Sequence, residues 1–75
     1  SGPEFPKISK REVEIMVLIS KGNSEKQIAA VLGISENTVN NHKTKIFAKL
    51  GVQSQVSMVV EGIRLGLIPN PAMPS

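Results

Sequence analysis

Three residues, Gly33, Ile34 and Ser35, separate one apolar helical stripe from the next, and that spacing constrains how the chain can pack. Ahead of the gap, Ser24 stands three residues before Gln27 as in a capping box, and Ile28, Ala29 and Leu32 form a short apolar stripe. Gly33 then offers the left-handed stop. Beyond the gap, Ser35 can cap a new helix, Glu36 places a negative charge at the positive end of its dipole, and Ile34 can staple onto Val39. A short helix, a tight turn opening on glycine and a longer helix form the outline of a helix-turn-helix. Small helical bundles of other kinds contain such corners too.

The same end signals place two more helices. Ser9 and Glu12 form a second capping box, flanked by Ile8 and Val13, and Ile15, Met16, Leu18 and Ile19 recur on one face until Gly22 and Asn23. Gly51 stops the third helix after Leu50, and a fourth opens after Ser54 and ends at Gly66 and Pro69. The predicted fold is all-α: a compact four-helix domain with helices at about 10–21, 25–32, 36–50 and 55–65. Val56, Val59, Val60 and Ile63 follow an i, i+3, i+4, i+7 spacing and are expected to close the core. That leaves Met58 and Leu65 as the expected dimer surface. Residues 1–7 are expected to be a flexible segment and partly a cloning remnant, residues 8–68 the domain, and residues 69–75 a flexible proline-rich tail.

Composition narrows the function. The chain has 75 residues, no cysteine, no aspartate and a single histidine, so the usual nucleophile, base and metal constellations cannot be assembled. An enzyme is therefore not expected, nor a cofactor, nor a metal site. No apolar run approaches the length of a membrane span, and a cytoplasmic, nucleoid-associated location is the expectation. The net charge of +3 is mild for a nucleic-acid binder, but Lys43, Lys45 and Lys49 share one helical segment and make it locally basic.

That segment has two distinct sides. Advancing about 100° per residue, Ile46 and Leu50 return to within about 20° of Val39 and define a buried seam, flanked by Phe47 and His42. Opposite lie Asn37, Asn41, Thr44 and Ala48, bordered by Asn40 and Lys45. Asparagine presents a donor and an acceptor side by side, matching the N6 and N7 edge of adenine, and threonine offers a hydroxyl or a methyl. Asparagine is also a mediocre helix former, so Asn37, Asn40 and Asn41 in one turn and a half cost local stability. An ordinary solvated face would account for them without DNA. His42, beside the seam, is read as a boundary histidine.

The string from Ile8 through REVEIMVLISKGNSEKQIAAVLGISENTVNNHKTKIFAKLGV to Gly66-Leu67-Ile68 resembles the LuxR-type helix-turn-helix domain shared by LuxR, NarL, FixJ and GerE proteins. The resemblance implies a bacterial transcription regulator's output domain whose third helix enters the major groove and whose fourth contributes to a homodimer on DNA. It implies DNA contact at Asn40, Asn41 and Thr44, with Lys43 and Lys45 nearby; with the outer face read above, the expected base-facing set is Asn37, Asn40, Asn41 and Thr44, and the expected phosphate-facing set is Ser35, Thr38, Lys43, Lys45 and Lys49. Double-stranded promoter DNA at inverted repeats, RNA polymerase and an upstream receiver or ligand-binding domain are the implied partners. The chain departs from the family at Asn40, where lysine is common, at Gln55, where arginine is common, and at Met58, where alanine is usual. A helical protein-interaction module is the alternative reading, and the related DNA-binding region of a sigma factor shares the fold.

Overall fold

The structure, a computed structural model, describes residues 7–70. Helices α1 (Lys10–Ser20), α2 (Glu25–Leu32), α3 (Glu36–Leu50) and α4 (Gln55–Arg64) follow one another, and no strand occurs among the described residues. The expected flexible ends lie almost wholly outside them. Each helix starts at a serine whose hydroxyl accepts the amide three residues on: Glu12 at 3.1 Å, Gln27 at 3.2 Å, Thr38 at 3.0 Å and Ser57 at 3.1 Å. The capping boxes are reciprocal, since the Ser9 and Ser24 amides donate back to the side chains of Glu12 and Gln27. Each box satisfies two amides that a helix start leaves unpaired.

Two helices stop one residue sooner than the sequence suggests. Lys21 and Leu65 are caps rather than helical residues, because the chain turns there into Schellman-type closures. The Asn23 amide donates to the Leu18 carbonyl at 3.2 Å and the Leu67 amide to the Gly62 carbonyl at 2.8 Å, which pulls the last turn out of α-helical register. At the corner between α2 and α3, Gly33 has φ 69°, a conformation that costs side-chain-bearing residues about 1–2 kcal/mol.

The core is built around α1, which packs on all three other helices, while α2 and α4 each meet α3 but make no direct packing contact with each other. Ile15 and Met16 of α1, Ile28 of α2, Val39 and Ile46 of α3 and Met58 of α4 are fully buried. Ile68 folds back over this cluster after α4 ends. Among the described residues no buried side-chain polar atom lacks a hydrogen-bond partner.

The fourth helix corrects the expected division of its faces. Met58 is fully buried, so it belongs to the core and not to a dimer surface. Val56 and Val60, expected to close the core, are 74% and 58% exposed, while Val59 and Ile63 are half-buried. The reason is Gly62: a Cβ there would fall 2.7 Å from Met16 Cε and 3.1 Å from Ile68, so α4 rests on α1 through its bare backbone. Once Gly62 points inward, Met58 one turn earlier must follow, and Val56 and Val60 rotate to solvent. Leu65, the other residue assigned to the dimer surface, is half-buried at the helix end.

Candidate nucleic-acid interface

The helix α3 carries the side chains that distinguish this domain. Val39 and Ile46 hold it to the core, with His42, Phe47 and Leu50 half-buried alongside. Asn37, Asn40, Asn41, Thr44, Lys45 and Ala48 are all exposed, so the polar side forms a continuous open strip. Among the described residues no ion pair or side-chain partner engages the amides of Asn37, Asn40 or Asn41. The Thr44 hydroxyl donates to the Asn40 carbonyl at 3.0 Å, which commits its proton to its own helix and leaves its methyl and the acceptor side of its oxygen for an outside group. At the N-terminal end, Ser35 Oγ accepts from the Thr38 amide and lies 2.8 Å from Thr38 Oγ1, closing a small hydroxyl cluster over the first turn.

The three lysines divide. Lys45 is exposed at the border of the open strip and forms no salt bridge among the described residues. Lys43, expected to face phosphate, is instead drawn inward: its ammonium donates to Glu25 Oε1 at 3.1 Å and Gln55 Oε1 at 3.2 Å and lies 5.9 Å from the Phe47 ring centroid. Its helical position, about 40° from the Val39 seam, explains the turn away from the outer strip. Lys49 reaches back to α1, with Nζ 2.7 and 3.0 Å from the two Glu12 oxygens. Sequence reasoning missed both engagements because the partners are 12 to 37 residues away and no local pattern announces them.

Glu12 is therefore more than a cap. It is 3% exposed, yet both of its oxygens are satisfied. Burial by itself pushes its carboxyl up, but hydrogen bonds from Lys49 and from Ser9, with the lysine's charge, outweigh burial and hold it below the ordinary carboxylate range. Among the described residues no cluster of histidine, cysteine or acidic side chains is arranged to hold a metal ion, and no helix is long and apolar enough to cross a membrane.

Apart from α3, the exposed valines of α4 are the main surface feature. Val56, Val59 and Val60 line, with Ile19 of α1, an open groove of about 270 Å³.

A short capped helix, a corner turning through a left-handed glycine, and a longer helix with one open polar face define a helix-turn-helix DNA-binding domain. The comparisons agree and narrow the class. Residues 6–61 match the pattern of bacterial regulatory proteins of the luxR family, and the chain belongs to that family. The oxygen regulatory protein NreC of Staphylococcus aureus is 44% identical over 64 residues, which cover 85% of this chain and 30% of that protein. Among solved structures, the response regulator ChrA of a heme-sensing two-component system superposes with TM-score 0.81 at 37% identity, over 89% of this chain and 33% of its own. The transcription factor GerE superposes with TM-score 0.79 at 39% identity, over 81% of this chain and 91% of its own. The chain thus spans less than a third of NreC but nearly all of GerE. Domains of this family are regulatory DNA-binding modules, not enzymes.

Proposed function

We propose that this domain reads double-stranded promoter DNA by laying α3 in the major groove, as the output part of a larger cytoplasmic transcription regulator. The observation that carries the reading is the open strip of α3, where three exposed asparagines stand beside a threonine whose hydroxyl donates to its own helix. Asn37, Asn40 and Asn41 would take base edges, with adenine the best match, and Thr44 would meet a thymine methyl. Ser35, Thr38 and the amides at the start of α3 would take a phosphate at the positive end of the helix dipole, and Lys45 a neighbouring one. Lys43 and Lys49, held within the domain, drop out of the phosphate set.

The pairing surface follows from α4. Val56 and Val60 are the exposed apolar residues there, and two copies meeting across them would place their recognition helices about one turn of DNA apart, on an inverted repeat. The patch is far smaller than the roughly 1,000 Å² of a stable interface, so pairing would need DNA or an attached domain to raise the effective concentration. A LuxR-type receptor of Vibrio cholerae, VqmA, which superposes with TM-score 0.79 at 29% identity, is described as a dimer in the absence of its target DNA. The response-regulator relatives support a receiver as the attached domain.

Selection of bound duplexes from random DNA tests the reading. We expect a recovered inverted repeat, and Asn41→Ala should weaken binding to it by about 1–3 kcal/mol without lowering the melting temperature. Recovery of no preferred sequence, or an Asn41→Ala variant that binds as the parent does, would refute the groove assignment.

A further inference from the structure

We propose that Lys43 is a positioning residue for DNA recognition, a tie that fixes how α3 is presented between α2 and α4. This inference rests on the DNA-binding reading above. The helices α2 and α4 flank α3 but make no direct packing contact with each other, and Lys43 is the side chain that joins them. Its ammonium has three donors: one goes to Glu25 at the start of α2, one to Gln55 at the start of α4, and the charge rests near the face of Phe47. The Lys43 side chain is only 16% exposed, so it lies under the surface, unlike Lys45. Both partners are distant in sequence, so the tie reports tertiary placement rather than helix chemistry.

Glu25 sits at the positive end of the α2 dipole, on the helix that crosses the DNA backbone in a helix-turn-helix, and without Lys43 its negative charge would face that backbone. Lys43 cancels that charge and spends its own in doing so. Base reading depends on how the helix is held: a bidentate contact needs two donor–acceptor pairs aligned at once and weakens steeply as their angles fall towards about 120°, whereas a single phosphate contact is less demanding. Loosening the tie therefore acts on discrimination between sequences more than on general affinity.

The test compares binding of the best duplex recovered by random-sequence selection with binding of a random duplex of equal length, across a salt series. Lys43→Met and Glu25→Gln should each lower the ratio of specific to random affinity about tenfold, mid-range for coupled neighbours. The Lys43→Met salt slope should equal the parent's. The swap Lys43→Glu with Glu25→Lys should restore the ratio in part relative to Lys43→Glu alone, because the ion pair returns reversed and the Gln55 amide can donate as readily as it accepts, while the cation near Phe47 is lost. Glu25→Gln leaves Lys43 in place and covers the case in which Lys43→Met fails to fold. Simple electrostatics predicts the reverse for Glu25→Gln, tighter binding with an unchanged ratio. That result, a Lys43→Met slope lower by about 0.9, or a swap no better than Lys43→Glu alone would overturn the proposal. A parent that shows no sequence preference would instead refute the DNA reading on which it stands.

Discussion

Replacing Lys49 with methionine should destabilise the domain without touching its DNA contacts. The substitution keeps the aliphatic stem and removes the ammonium that lies 2.7 and 3.0 Å from the Glu12 oxygens, leaving a carboxylate that is 3% exposed. Removing one partner of a fully buried pair typically costs about 3–5 kcal/mol. Here the lysine side chain is 37% exposed, so water can take up part of its place, and the Ser9 amide still donates to Glu12 at 2.7 Å. The cost reduces to about 1–2 kcal/mol. In a domain of this size that lowers the melting temperature by about 5–15 °C. Circular dichroism melts measure it, and a band-shift salt series on the same protein should return the parent's slope. The acid limb gives a second check. Because the folded Glu12 carboxyl titrates below its unfolded value of about 4.3, the unfolded chain binds the proton first as pH falls. Its stabilisation is thus full above that value and is lost as pH drops through the folded pKa. Without Lys49 the depression shrinks, and the melting temperature should fall less steeply between about pH 5 and 3. A variant that melts with the parent while its salt slope drops by about 0.9 would show that Lys49 serves phosphate and not Glu12.

Two further outcomes separate the roles of neighbouring residues. Lys45→Ala should lower the salt slope by about one phosphate contact and weaken all duplexes alike, with an unchanged melting temperature; a selective loss at one base pair would make Lys45 a base reader. Met58→Glu should largely unfold the domain, since it buries a charge with no partner, whereas Val60→Glu should change stability by less than about 0.5 kcal/mol and abolish cooperative binding to the inverted repeat. Sedimentation with and without the duplex, run beside circular dichroism, checks both halves, and a folded Met58→Glu protein would refute the placement of α4.

The starts of all four helices were legible in the residues because capping is short-ranged: Ser9 and Glu12, or Ser24 and Gln27, find each other within one turn whatever the rest of the chain does. The polar strip of α3 was legible for a similar reason. Val39 and Ile46 recur at the helical period, and one apolar seam leaves one opposite face. The fourth helix offered no such single answer, because Val56, Val59, Val60 and Ile63 make as good a stripe as the one centred on Met58 and Gly62. The choice fell to tertiary packing, where a missing Cβ at residue 62 lets Met16 and Ile68 approach the helix and turns two valines out to solvent. Lysine partners were undecidable in the same way. A periodic pattern fixes which side of a helix a side chain leaves from, but where a flexible four-carbon stem ends depends on what another helix brings near it. Only the folded chain sets Glu25, Gln55 and Glu12 around α3, and so decides that Lys43 and Lys49 are engaged while Lys45 stands exposed.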